Sequence, residues 1–330
     1  MIRWGVLSTA KIATSQAIPA LMSAEGCVVS AIASRSEGRA REVAGIFAIP
    51  NVFASYEALL ASDDVDAVYL PLPTSQHVEW SMKAANAGKH VLCEKPISLS
   101  AQQIKGLKSA AAANNVIVSE AMMVAYHPQW SKVRELIETG AIGALKHVRA
   151  SFSYFNIDPN NMRNRLELGG GVLPDIGCYP IATTRLVTGA NAKQVFATEE
   201  RDPKFGTDIY VSAMVDFGSF DLSMQVGTQL AWRQTSSFHG DKGFIEIVAP
   251  FNAVPNTPDC VRLFSDAREV PEEFTFPDVN QFKLQFEAFA QAVMTGDRNG
   301  LLSLDESMQN QLIIDAIYKL DDAKEWMAVS

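Results

Sequence analysis

The first 120 residues repeat one pattern that few folds satisfy: a short apolar run, a small-residue turn, then a helical stretch. The runs are Ile2 to Leu7, Val28 to Ala33, Val65 to Leu70, the segment closing on Val91-Leu92, and Val116 to Ser119. Unbroken apolar runs of this length read as strands covered on both faces. Helical stretches such as Lys11 to Ser23 and Ala101 to Ala113 separate them. This alternation predicts an α/β Rossmann domain, a parallel doubly wound sheet of βαβ units.

In such a sheet, ligands bind at the carboxyl ends of the strands. After the first strand, Ser8-Thr9-Ala10-Lys11-Ile12 stands where a dinucleotide fingerprint carries glycines, and only Gly5 is kept. The N–H groups of a helix start can still hold a pyrophosphate there. Pro19 should bend or split that first helix. After the second strand come Ser34 and Arg35, with Arg39 one turn on and no acid before Glu37. A carboxylate at this place takes a ribose hydroxyl, whereas arginine accommodates a 2′-phosphate. The residues therefore favour NADP, with NAD as the second candidate. After the third strand, Leu72-Pro73-Thr74 leads into a helix carrying His77 in its first turn. A lone histidine there is more often structural than a ligand contact. The fourth strand ends in Cys93-Glu94-Lys95-Pro96. Proline restricts the residue before it to extended backbone, which fixes Lys95 at the strand end. The plain alternative is a strand-end lysine reaching into water.

At 330 residues the chain is natural for two domains, divided here as 1–120 and 121–330. With 48% hydrophobic and 20% charged residues it reads as a soluble globular protein. A net charge of -9 repels phosphate backbones and argues against a nucleic-acid partner. The four cysteines are widely spaced with no C-x-x-C pair, which suggests buried thiols rather than disulfides or a metal site. No apolar run approaches the ~20 residues needed to cross a bilayer. The expectation is a cytoplasmic protein with no membrane partner and no metal.

The second half changes character. Leu145 to Tyr154 alternates as a strand, and a polar loop follows, carrying Arg163 and Arg165. Three glycines, Gly169 to Gly171, then allow a sharp turn or a close backbone approach. Asp175 and Tyr179 stand four apart, on one face of any helix they share, and Pro180 makes that helix start or bend nearby. A capping aspartate and a half-buried aromatic are the ordinary explanation. From Lys193 onward, five strand-like runs between Gln194 and Val248 follow one another with short breaks, an antiparallel meander. Phe282 to Met294 and Leu304 to Leu320 close the chain as amphipathic helices. The second domain is thus expected to be α+β with a large, mostly antiparallel open sheet.

Several of these segments together resemble the glucose-fructose oxidoreductase/inositol dehydrogenase (Gfo/Idh/MocA) family. They are Trp4 to Ala13, Leu72 to His77, Gly88 to Pro96, and Gly169 to Tyr179. The resemblance implies a nucleotide-binding domain followed by a sheet domain that supplies the substrate pocket and usually a dimer interface. It implies hydride transfer between NAD(P) and a hydroxyl- or carbonyl-bearing carbon of a sugar or cyclitol. It makes Lys95 a catalytic and ribose-contacting residue. Many members have histidine at the position of Tyr179. The tyrosine is similar to glucose-fructose oxidoreductase, dimeric dihydrodiol dehydrogenase, xylose dehydrogenase and anhydrofructose reductase members, and argues against inositol dehydrogenation. A phenol of ordinary pKa near ~10 is a poor base at neutral pH, and a nearby ammonium would lower it.

The expectation is an NADP-preferring oxidoreductase acting on a small sugar-like substrate. Lys95 and Tyr179 handle the proton, Asp175 orients substrate or Lys95, and Arg163 or Arg165 touches substrate or cofactor. Ser8, Thr9, Ala10, Lys11 and Ile12 cradle the pyrophosphate. Ser34, Arg35 and Arg39 hold the adenosine phosphate, and Leu72, Pro73, Thr74, His77, Glu94 and Lys95 line the nicotinamide side. A homodimer through the C-terminal sheet is expected. The rivals are a trans-dihydrodiol dehydrogenase on cyclic diols and a non-catalytic NADP-binding sensor of the same fold.

Overall fold

The computed structural model describes residues 1–252, 259–265, 269–320 and 325–329. They form two compact units, Met1–Tyr126 with Asn280–Met308, and His127–Val279 with Gln309–Ser330.

Six parallel strands build the first unit: β1 (Ile2–Leu7), β2 (Cys27–Ala33), β3 (Asn51–Phe53), β4 (Ala67–Leu70), β5 (His90–Glu94) and β6 (Val118–Ala121). Their order is β3-β2-β1-β4-β5-β6. This order reverses direction between β1 and β4, the switch point at which sheets of this kind bind ligands. Both faces are buried, as the apolar runs require. Trp4, Val6, Ile32, Tyr69 and Leu92 face one core. Leu7, Ala31, Val68, Leu70, Val91 and Cys93 face the other.

The first core is closed by the helix Gln281–Thr295. Phe286 and Phe289 each lie 5.2 Å from the Trp4 ring, and Phe286 lies 5.5 Å from Tyr69. Each such side chain, fully buried, contributes about 1.5–3 kcal/mol. The division at residue 120 read from the sequence leaves this helix with the later part of the chain.

Among the described residues, nine strands build the second unit's sheet: β7 (Leu145–Phe155), β8 (Gln194–Arg201), β9 (Asp208–Asp216), β10 (Asp221–Gly227), β11 (Gln229–Gly240), β12 (Gly243–Ile247), β13 (Cys260–Ser265), β14 (Glu272–Thr275) and β15 (Met327–Ala328). The order is β14-β13-β12-β11-β7-β10-β9-β8-β15. Only β7 and β10 pair in parallel; the other pairs are antiparallel. Alternation sends Val148, Ala150 and Phe152 into the core. Arg149, Ser151 and Ser153 line a broad concavity of about 1430 Å³ on the opposite face. Trp232 also lines it and is 58% exposed.

Two helices share one irregularity. Wide π-helical turns, Ala13–Ala17 and Leu173–Gly177, run into the α-helices Ile18–Ser23 and Cys178–Thr188. A proline follows each, Pro19 and Pro180. A proline ring clashes with the carbonyl four residues back, and a widened turn moves that carbonyl aside. No helix among the described residues is long and apolar enough to cross a membrane.

Candidate active site

Lys95 stands at the end of β5 in a loop held on every side. The Tyr69 hydroxyl donates to Glu94 Oε1 at 2.6 Å, and the Lys95 N–H donates to Glu94 Oε2 at 3.2 Å. His77 is 1% exposed, with Nδ1 2.8 Å from the Pro96 carbonyl and Nε2 2.8 Å from the Leu72 carbonyl. Burial lowers its pKa against those two carbonyls, and the Lys95 charge adds to the lowering. Both ring nitrogens are thus engaged by backbone, and His77 ties the loop after β4 to the loop after β5. The Ile97 N–H donates to Glu120 Oε1 at 3.0 Å. The Lys95–Pro96 bond is cis.

The residues expected to hold the nucleotide lie after β1 and β2. Ser8 adopts a φ of 135°, in the region where glycine is at home. Its hydroxyl accepts the Ala10 N–H at 3.1 Å, so serine keeps the turn that a fingerprint glycine would make. Gly5 serves another purpose: a Cβ there would stand 2.6 Å from Leu59 Cδ2. The Thr9 and Ser34 hydroxyls are 3.4 Å apart, and Ser34 Oγ accepts the Ser36 N–H. Arg35, Arg39 and Lys11 are exposed, while Thr74 and Leu72 are buried. Sequence reasoning missed Tyr56, whose phenol is pushed up by burial, against the opposing pull of the Arg35 charge, the Ser8 hydroxyl and the Arg35 backbone.

In the second unit, Asp175 and Arg163 come together. Arg163 Nε lies 2.8 Å from Asp175 Oδ2, which also accepts from the Tyr154 hydroxyl at 2.5 Å. Asp175 raises the guanidinium's pKa, against burial and with help from Tyr154 and Tyr179. Asp175 therefore has an arginine and a phenol as partners, and Tyr154 was not anticipated. Tyr179 is 4% exposed and packs 5.7 Å from both Phe152 and Phe251, whose rings stack at 5.3 Å. Arg165 instead pairs with Glu167 on the surface.

The start of this helix is fixed from the sheet. Asp208 Oδ2 accepts the Leu173 N–H at 2.8 Å, and Tyr318 donates to Oδ1 at 3.0 Å. Gly171, at φ 139°, makes room: a Cβ there would stand 2.0 Å from Asp208 Oδ1. Among the described residues, no cluster of His, Cys, Asp and Glu could hold a metal ion.

Comparison with known proteins bears on what this arrangement does. Residues 2–122 match the model of an oxidoreductase family with an NAD-binding Rossmann fold (GFO_IDH_MocA), and residues 130–246 match the GFO/IDH/MocA C-terminal domain. An uncharacterised oxidoreductase of Rhizobium meliloti is 36% identical over 100% of this chain and 99% of its own. A D-xylose 1-dehydrogenase (NADP(+)) of Haloferax volcanii is 34% identical, covering 96% of each chain. The crystal structure of a 3-ketoreductase from Actinomadura kijaniata with NADP and TDP-benzene superposes with a TM-score of 0.89 at 32% identity, covering 96% of each chain. The same ketoreductase has been crystallised with one tyrosine replaced by phenylalanine and with one lysine replaced by alanine or glutamate. That lysine and tyrosine are as far apart along its sequence as Lys95 and Tyr179 are in this one.

Proposed function

We propose that this chain, which belongs to the Gfo/Idh/MocA family of NAD-binding Rossmann-fold oxidoreductases, transfers hydride between NADP and a hydroxyl- or carbonyl-bearing carbon of a sugar or sugar derivative. The observation that carries this reading is the equal spacing of Lys95 and Tyr179 with the lysine and tyrosine replaced in the ketoreductase. The names of the xylose dehydrogenase and the ketoreductase support the substrate class.

The residues fit the cofactor. The turn Ser8-Thr9-Ala10-Lys11-Ile12 offers N–H groups at a helix start to a pyrophosphate. Exposed Arg35 and Arg39, with Ser34, suit a 2′-phosphate, and no carboxylate competes at the end of β2. Leu72, Pro73, Thr74 and Glu94 line the nicotinamide side, with His77 holding that edge in place. NADP supplies or accepts the hydride when bound.

Lys95 holds the substrate hydroxyl and, as an ammonium, favours its loss of a proton. Tyr179 takes that proton as the phenolate in oxidation and returns it as the phenol in reduction. Arg163 and Asp175 flank Tyr179 and bind neighbouring hydroxyls. A homodimer across the open face of the nine-stranded sheet would cover exposed Trp232 and Leu230.

The test is nicotinamide absorbance with NADP and NAD against a panel of aldoses, keto sugars and sugar nucleotides. Turnover is expected with at least one sugar and is faster with NADP. No turnover on the whole panel, with NADPH bound tightly, would point to a sensor.

A further inference from the structure

Behind the lysine loop lies a carboxyl group that the mechanism does not use. Glu120 lies within β6, beside Cys93 of β5 in the parallel register, and is 3% exposed. Oε1 accepts the N–H of Ile97, two residues after Lys95. Oε2 is buried with no hydrogen bond of good geometry, and the Ser307 hydroxyl beside it pulls the carboxyl's pKa down. A buried carboxyl left half-bonded is costly unless something compensates.

The geometry points to Glu120 as the positioning residue of Lys95: its carboxylate anchors the loop through Ile97 and holds the lysine in its ammonium form. The inference rests on the hydride-transfer reading above. The groups facing Glu120 are Lys95, Glu94 and Cys93 from β5 and its loop, Tyr126 from the turn after β6, and Ser307 from the helix Leu304–Tyr318. Lys95 is the one cation among them, and Glu94 is already bonded to Tyr69 and the Lys95 N–H. Burial holds the Glu120 carboxyl's pKa above its ordinary value, with Glu94 adding to the rise, against the opposing pull of Ser307, the Ile97 N–H and Lys95. A carboxylate opposite an ammonium stabilises both charges, and each raises the cost of neutralising the other.

E120Q keeps an acceptor for Ile97 and removes the charge. Acylation of the Lys95 amine in the full chain, read by peptide mass spectrometry across pH, reports its protonation directly. E120Q should label about fivefold faster at a fixed pH below the wild-type inflection, as a charge interaction of about 1 kcal/mol implies. E120D withdraws the charge by one methylene and should label about twofold faster. With a sugar substrate, the pH profile of kcat should shift in E120Q while KM for NADP stays within about twofold of wild type. Wild-type labelling in E120Q overturns the proposal, as does wild-type labelling in E120D should E120Q fail to fold. If wild type oxidises no sugar, the hydride-transfer reading fails and the labelling still decides the role of Glu120.

Discussion

Arg163 Nε and Asp175 Oδ2 lie 2.8 Å apart, and the same oxygen takes the Tyr154 hydroxyl at 2.5 Å. The Asp175 side chain is 10% exposed, while the Arg163 side chain is 42% exposed. A carboxylate so placed is held by its partners, and removing one leaves it under-bonded. Replacing Arg163 with Met should cost about 1–3 kcal/mol of stability. Solvent at the guanidinium favours the lower end of that range. It should also raise KM for the sugar more than it lowers kcat. Chemical denaturation and steady-state kinetics check the two parts.

Gly171 and Asp208 share one space. Gly171→Ala would place a methyl on Asp208 Oδ1 at a φ that L-residues rarely hold. The cost should be roughly 2–4 kcal/mol from strain and the lost contact to Leu173. Thermal melts would show it.

Asp208 also makes a pH prediction. Burial holds its pKa above the ordinary value, so the folded state favours the protonated acid. Its contribution to stability is therefore fully present at acid pH and is lost as pH rises through the folded pKa. Asp208→Asn cannot ionise. Its stability relative to wild type should rise from acid to neutral pH, as measured by urea unfolding at several pH values.

His77 joins two loops through two carbonyls. His77→Phe keeps the ring volume and removes the one N–H that the neutral ring donates to a carbonyl, at about 1–3 kcal/mol. The loosened loop should lower kcat with Arg35-dependent cofactor affinity unchanged. Arg35→Glu should do the reverse, weakening NADP by about 10–100-fold, the loss of one charge-assisted contact, with little effect on NAD. Fluorescence titration of both nucleotides measures these effects.

Much of the fold was legible because its signals are local. Apolar runs separated by helical stretches announce a parallel sheet, and Pro19 and Pro180 mark where their helices widen. Lys95 could be placed because Pro96 fixes the backbone before it. What escaped depends on distance along the chain. The amphipathic pattern of Gln281–Thr295 tells that one face is buried, not that Phe286 meets Trp4 in the first sheet. Glu120 reads as an ordinary polar strand end, and only the neighbouring strand shows that it faces Ile97. Tyr154 sits in an alternating strand with nothing local to link it to Asp175. The triple glycine signals a sharp turn or a close approach, and only the fold shows that Gly171 makes room for Asp208.

Lys95 and Tyr179 are proposed to serve the same reacting carbon. Single-turnover hydride transfer in Lys95→Ala and Tyr179→Phe, at saturating NADP and the best sugar of the panel, measures this directly. Each variant should bind NADP and lose about 10²–10⁴-fold in rate, and the double variant should lose little more than the worse single one. Wild-type rates in either variant would contradict the account.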